Sequence, residues 1–293
     1  MSLRLQMIQV ASLATRELGD ATELVQNFLL SQINEDGGFN DRCGDSDLYY
    51  TVFGLEGLRA LKVDIPVDKV RPYLESFGHG ENLDLVHLTS LIRCWADLKI
   101  DFSHLRKGFL KELERFRSAD GGYNTEEGKE EGTGYAAFLV YGSLQDLEVK
   151  EYDKQLLIDS IQNLQVGNGS YGMFAGQSEG TTPTTAAACV ALHDMGVRDF
   201  ELSKKWLINN FHLKGGVFAI PDAPMPDLLS TATALHTLSV IGADVLELKE
   251  PCLDFVDSLW TSKGAFYGTW ADDILDVEYC LYGLLALGHL STM

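Results

Sequence analysis

Basic residues are scarce in this chain of 293 residues. Lys and Arg together number 23 against 43 Asp and Glu, which gives a formal net charge of −20. Nucleic-acid binding depends on neutralising phosphates with Lys and Arg, so this balance argues against a nucleic-acid partner. The same charge is compatible with cations, with basic partners, or with anionic substrates that arrive together with a metal ion.

Long apolar runs and paired cysteines are also missing. No stretch of about 18 apolar residues occurs, so no membrane span is expected. The opening segment MSLRLQMIQVASLATREL lacks the apolar core of a secretory signal, and a cytoplasmic location is the expectation. The five cysteines are widely spaced without a C-x-x-C pair, which favours buried free thiols over disulfides or a cysteine-rich zinc site. Strand signals are nearly absent, and the best of them, GGVFAIPD, is interpreted as a loop.

The sequence does contain an internal repeat. Glycine followed closely by an aromatic residue recurs at 38, 122, 169, 216 and 264, and the last three steps are 47, 47 and 48 residues. The first step, 84 residues, spans two units, and Gly80 in GHGEN marks a degenerate copy of the motif between them. A period of 20–50 residues is typical of stacked units that share one continuous core. We therefore expect six units in a single domain covering residues 1–293.

Each unit contains two helical patterns of different character. The first type has one polar face and runs near 21–33, 67–77, 104–117, 152–164, 202–211 and 251–260. The second type is apolar almost all round, which indicates burial on two sides, and runs near 47–62, 84–98, 133–147, 184–195, 227–241 and 276–290. Twelve helices that alternate in this way predict an all-α fold, an (α/α)6 toroid of six helix-pair repeats.

In such a toroid the second-type helices all begin at one end, around a central cavity. Their starts are marked by side chains that can cap a helix, and Pro183 and Pro226 end the preceding loops. The predicted caps are Asp47, Asp84, Thr184 and Asp227. The acids expected at this rim are Asp45, Asp47, Asp84, Glu131, Glu179, Asp222, Asp227, Asp272, Asp273, Asp276 and Glu278. The expected aromatic wall comprises Tyr49, Tyr50, Phe53, Trp95, Tyr135, Phe138, Tyr141, Trp270, Tyr279 and Tyr282.

The repeats resemble those of protein prenyltransferase β subunits and squalene–hopene cyclases, with the Rab geranylgeranyltransferase type nearest. The resemblance covers nearly the whole chain and rests on QINEDGGF, DRCGDSDLYYTVFGLEGL, EGTGYAAFLV, LKGGVFAIPDAPMPDLLSTATAL and DILDVEYCLYGLLALG. It implies the toroid fold and an isoprenoid or other hydrophobic small molecule as ligand. It also implies a possible protein partner of the α-subunit kind.

The catalytic motifs of that group are incomplete in this chain. The resemblance places the zinc-binding Asp of the family at Asp227, but its Cys falls on Leu229, and its His falls on Asp276 or, by the opening repeat, on Tyr50. One ligand of three will not hold the zinc ion that activates a thiolate. The segment AIPDAPMPD lacks the basic residues that bind diphosphate in the family, and no D-x-D-D acid of the cyclases occurs.

A second acidic motif remains near the end of the chain. The segment DDILD matches the D-D-x-x-D pattern of ionisation-type terpene synthases, and helical spacing would put Asp272, Asp273 and Asp276 on one face. Oxygen ligands of this kind could hold Mg²⁺, which would bridge to a diphosphate. The alternative is that these acids only stabilise the positive end of a helix dipole.

Two functions of different class are consistent with these residues. The first is a protein that binds a prenyl diphosphate with Mg²⁺ and acts on it. Its candidate catalytic residues are Asp227, Asp276 and Tyr135, its candidate metal ligands are Asp272, Asp273 and Asp276, and its candidate substrate-binding residues are Tyr50, Trp95, Tyr279 and Tyr282. The second is a non-catalytic toroid that binds a basic peptide or protein at an acidic mouth.

Histidines form the last candidate group. His87, His193 and His236 all lie on second-type helices. Such residues are expected to be hydrogen-bonded core side chains, with general acid–base catalysis as the alternative.

Overall fold

The computed structural model describes residues 1–293 and consists of two concentric layers of helices. Two N-terminal helices, α1 (Leu3–Ala11) and α2 (Thr15–Leu18), precede the repeats. The outer layer comprises α3 (Thr22–Ser31), α5 (Val67–Glu75), α7 (Arg106–Leu113), α9 (Lys154–Gln162), α11 (Glu201–Asn209) and α13 (Lys249–Leu259). The inner layer comprises α4 (Leu48–Ala60), α6 (Leu85–Asp97), α8 (Gly134–Asp146), α10 (Thr182–Asp194), α12 (Leu228–Val240) and α14 (Val277–Leu290).

The inner helices form a closed ring. Each packs against the next along the chain, and α14 packs back onto α4. One apolar cluster runs through the first, third and last repeats alike, because neighbouring inner helices share their buried side chains. The (α/α)6 toroid predicted from the repeat is therefore confirmed. No helix in the structure combines the length and the apolar character needed to cross a membrane.

Every inner helix begins at a side-chain cap, which satisfies a backbone N–H that has no partner within the helix. Four caps are aspartates that accept from the N–H three residues later, at 2.7–3.1 Å: Asp47, Asp84, Asp227 and Asp276. The other two are Thr133 and Thr181. The predicted cap Thr184 was wrong. Thr181 caps α10, with Thr184 as its partner in a capping box, and Pro183 lies in the first helical turn, where no N–H is needed.

The glycine–aromatic motif forms the same turn in five repeats. In each, one buried residue makes an antiparallel bridge with the residue six positions earlier, at the end of the outer helix: Phe39, Tyr123, Tyr171, Val217 and Phe266. Its N–H donates, in three of the five, to a threonine hydroxyl on the following inner helix, as Phe39 does to Thr51 at 2.9 Å. The segment GGVFAIPD is accordingly a loop with single bridges. The only paired strands are the two-residue β1 (Phe39–Asn40) and β2 (Ser46–Asp47).

In each of these turns, a glycine with a left-handed backbone conformation (positive φ) lets the turn pack closely against the next outer helix. Gly264 in the last repeat has φ +85°, and a Cβ at this position would overlap the backbone carbonyl of Leu24 on α3. The last turn therefore docks on the first outer helix. The outer layer closes at the same junction as the inner one.

Helix α1, which lies outside the repeat pattern, covers one end of the ring. It packs on α4, α8, α10 and α14. Its buried Arg4 forms ion pairs with Asp97 and Asp146, which lie in the last turns of α6 and α8. The C-terminal ends of the inner helices are therefore closed by α1, at the opposite end from the capped rim. Four cysteines are buried free thiols as expected, whereas Cys43 is exposed.

Replacing Gly264 by alanine tests the closure of the outer layer. A left-handed backbone disfavours a Cβ, and the clash with Leu24 adds to that cost, so we expect a loss of more than about 1 kcal/mol in the free energy of unfolding. Gly142→Ala in α8 is the matched control: its Cβ meets no atom within 4 Å, and alanine should stabilise the helix by up to about 1 kcal/mol. Urea unfolding measures both, and equal effects would contradict this account of the junction.

Candidate functional site

The inner helices enclose a central cavity of about 280 Å³. Its lining begins in the first turns of the inner helices, at the capped rim, and includes Met7 of α1 at the other end. Of the 22 lining residues, 15 are hydrophobic, so the cavity favours an apolar ligand. Aromatic rings contribute a large part of this wall: Tyr49, Phe53, Tyr135, Phe138 and Tyr282.

The predicted aromatic residues divide into those that line the cavity and those that do not. Tyr135 and Tyr282 line it. Trp95 does not, because Arg93 faces the cavity and two residues correspond to about 200° around a helix. Trp95 is buried and stacks instead on Phe102, with ring centroids 6.3 Å apart. Tyr50 does not line the cavity either.

The acids of the DDILD segment are organised around an arginine from the first repeat. Arg42 Nε donates to Asp276 at 2.7 Å, and its Nη2 donates to Asp272 at 2.9 Å. Its guanidinium group lies over the Tyr279 ring, 5.3 Å from the centroid. Burial disfavours the ionised form of Asp272, but hydrogen bonds from backbone N–H groups and from Arg42 outweigh this effect. They hold the pKa of its carboxyl below the usual value. Asp276 caps α14 as well, and burial raises its pKa despite Arg42.

These contacts do not fit a magnesium site made of three carboxylates. Asp273 lies apart from the pair, in a surface groove that Lys263 and Gln32 also line. No group of three or more His, Cys, Asp or Glu side chains is placed to hold a metal ion. The sequence had suggested a metal cation beside Asp272, but the positive charge at this position comes from Arg42.

The residues at the zinc-ligand positions do not fit a zinc ion either. Asp227 accepts from the backbone N–H and the hydroxyl of Ser230, both at 2.7 Å, and burial raises its pKa. Leu229 is part of the apolar cavity wall. Cys280, the cysteine one helical turn beyond Asp276, is fully buried, and that burial raises the pKa of its thiol. Asp227 therefore acts as a helix cap in this structure.

A tyrosine–glutamate pair lies at the junction between the rim and the cavity. Tyr49 Oη donates to Glu278 Oε1 at 2.6 Å, and the Tyr49 side chain lines the cavity. Burial raises the pKa of Glu278 to about 7, although the hydrogen bond from Tyr49 acts in the opposite direction. A carboxyl group that exchanges its proton near neutral pH, next to a cavity, is suited to general acid–base chemistry. The sequence had marked Glu278 only as a rim acid.

The three candidate histidines occupy different environments. His87 joins the caps of two helices, with Nδ1 2.9 Å from Asp84 and Nε2 3.1 Å from Asp47. The hydrogen bond to Asp47 is the largest influence, and the two carboxylates together raise the pKa of His87 to about 9. His193 is half-buried beside Phe200 and does not line the cavity.

Arg93 and His236 are polar residues that line the cavity toward its inner end. Arg93 on α6 donates from Nε and Nη2 to Glu56 Oε1, at 3.1 and 2.6 Å, and its Nη1 has no protein partner. His236 on α12 has Nδ1 3.0 Å from His289 Nε2, while its own Nε2 is buried without a partner. Neither Arg93 nor its partner Glu56 was a candidate in the sequence, because an isolated Arg or Glu within an apolar helix carries no motif.

Comparison with known proteins agrees with this architecture. A family model described as prenyltransferase alpha-alpha toroid domain matches residues 5–87 and 135–292. The chain belongs to this family. No curated protein matches the sequence.

Solved structures share the fold at low sequence identity. Protein geranylgeranyltransferase-I from Candida albicans, complexed with GGPP, is 14% identical with a TM-score of 0.71, over 92% of this chain and 90% of that one. The type II terpene cyclase MstE from Scytonema is 15% identical with a TM-score of 0.66, over 94% and 98%. A solved glycosidase is 11% identical with a TM-score of 0.61, over 95% and 98%. The toroid therefore supports unrelated reactions, and the fold alone does not select one.

The pH dependence of stability tests the environment of Glu278. The unfolded carboxyl has an ordinary pKa of 4.5, whereas the native one keeps its proton up to about pH 7. The native state binds more protons in that interval, so this group lowers stability as the pH rises from about 4.5 to 7. Glu278→Gln removes this pH-dependent loss of stability. The unfolding temperature of the variant should exceed that of the wild type at about pH 8 but match it at about pH 4.

Exposed Glu247 provides the control for the loss of one surface charge. Glu247→Gln should not reproduce the difference between the two pH values. A Glu278→Gln effect of equal size at both would show that the native carboxyl is not shielded as described.

Proposed function

We propose that the protein binds an isoprenoid chain in its central cavity. The observation that carries this proposal is the cavity itself, which is lined mainly by apolar and aromatic side chains and enclosed by the inner helices of a family toroid. Burial of each methylene contributes ~0.8 kcal/mol, so a branched hydrocarbon chain would gain most of its affinity from this wall. The Candida enzyme complexed with GGPP and the Scytonema cyclase, solved with geranylgeranyl dihydroxybenzoate, support an isoprenoid over other apolar molecules.

The charge at the mouth of the cavity affects whether a charged head group of the ligand can lie there. Two cations at the rim, Arg42 and His87, are already paired with aspartates. Glu278 adds a further negative charge above about pH 7. A diphosphate would gain few new favourable contacts here, so the rim does not favour the prenyl diphosphate suggested by the sequence.

Proton transfer is the reaction type that the cavity supports. Glu278 and Tyr49 form a hydrogen-bonded pair beside the bound chain, and Glu278 would donate or accept a proton through Tyr49. The aromatic faces of the wall, Tyr135 and Tyr282 among them, would stabilise positive charge that develops on the chain. A basic peptide at the mouth is less well supported, because Asp47, Asp272 and Asp276 already have basic partners.

Filling the cavity tests the proposal. Ala187 on α10 lines the wall, and Ala187→Phe places a ring where the chain would lie. Geranylgeraniol, titrated into the protein and followed by calorimetry, should bind the wild type, and this variant should lose at least about tenfold in affinity. The matched control is Ala119→Phe, at an exposed turn position away from the cavity, which should bind as the wild type does.

A parallel titration with geranylgeranyl diphosphate, with and without Mg²⁺, addresses the head group. Weaker binding than for the alcohol in both buffers agrees with the charge at the rim. Tight binding that requires Mg²⁺ would restore the acidic segment Asp272–Asp276 as a metal site. Absence of binding by either compound would overturn the proposed function.

A further inference from the structure

We propose that the inner end of the cavity recognises an uncharged oxygen, so that the ligand is an isoprenoid with a hydroxyl or similar oxygen at its buried end. This inference rests on the proposed function and specifies the substrate class of the same cavity. The residues assigned to recognition are Arg93 and His236. Both lie at the end that α1 covers, away from the rim.

The two side chains come from opposite sides of the ring. Arg93 is the ninth residue of α6 and His236 the ninth residue of α12, so they lie at the same depth below the capped rim. Their helices are separated by two inner helices on either side, because the ring runs α4, α6, α8, α10, α12, α14 and returns to α4. Both side chains line the cavity. The inner end therefore offers a hydrogen-bonding side chain on each of two opposite walls.

Each side chain has hydrogen-bonding capacity that the protein leaves unused. His236 is 5% exposed, and its Nε2 is buried without a partner. Burial lowers the pKa of His236 to about 4, so the ring is neutral at pH 7 and Nε2 can donate or accept according to its tautomer. Arg93 Nη1 offers donors only. An unmet polar group in an apolar cavity is costly, and a ligand oxygen at this end would satisfy His236 Nε2 or accept from Arg93 Nη1.

The surrounding charges favour an uncharged oxygen over an anion. Glu56, which is fully buried, accepts two hydrogen bonds from Arg93 and neutralises it. The adjoining network joins Arg4 and Arg59 to Asp97 and Asp146, so this buried network contains two cations and two anions. A carboxylate or diphosphate would add an uncompensated buried charge, whereas a hydroxyl adds none.

The test compares geranylgeraniol with the matching C20 hydrocarbon that lacks the hydroxyl, by equilibrium dialysis. The wild type should prefer the alcohol by about tenfold, the effect of one satisfied buried hydrogen bond. In His236→Leu this preference should largely disappear while the hydrocarbon still binds. Thr233→Val is the control: Thr233 lines the cavity one turn nearer the rim, but its hydroxyl proton is donated to Leu229 O at 2.7 Å and is not available to a ligand oxygen.

Because His236→Leu also removes the partner of His289, a measurement on the wild type provides a second test. The ¹⁵N resonance of His236 Nε2 should shift when geranylgeraniol binds and should not shift with the hydrocarbon. Equal affinities for the two compounds, or an alcohol preference that persists in His236→Leu, would overturn this inference and leave the proposed function intact. If neither compound binds, the proposed function fails as well.

Discussion

Closure of the last repeat onto the first is the interaction on which the rest of this structure depends. A helix that is apolar all round is stable only when both of its sides are covered, and α14 obtains its second neighbour from α4. The same junction includes the contact of Gly264 with Leu24 in the outer layer and the ion pairs of Arg42 with Asp272 and Asp276 at the rim. An open array would leave a long apolar face in water. The closed ring converts that face into the wall of a cavity.

The two ends of the ring differ in electrostatic character. At the rim, aspartates and threonines satisfy the first N–H groups of the inner helices, and the free charge is negative. At the other end, α1 covers the C-terminal turns, and Arg4 brings a compensating cation to Asp97 and Asp146. Between them lies an apolar space in which a hydrogen bond is strong and an unpaired charge is unfavourable. This arrangement supports the proposal that the cavity takes uncharged ligands.

The sequence alone predicted the fold well and the site only in part. Repeat period and helix character are local properties, so six helix pairs could be recognised, although their ends differ by several residues, as in 104–117 against Arg106–Leu113. Tyr135 and Tyr282 were assigned to the cavity from their helices. Trp95 shares a helix with Arg93 but faces the other way, a distinction that requires knowing which face of α6 is turned inward.

What the sequence determined by itself was therefore the repeat, the layers and the capped rim, because each depends on residues within one unit. Only the tertiary structure decided the chemistry of the site. The partners of Asp276, Glu278 and His236 are Arg42, Tyr49 and His289, which are 234, 229 and 53 residues away in the chain. No spacing rule links residues so distant. Ring closure brings Arg42 and Tyr49 of the first repeat to Asp276 and Glu278 of the last. His236 meets His289 because α12 and α14 are neighbouring inner helices, and their packing leaves His236 Nε2 free in the cavity.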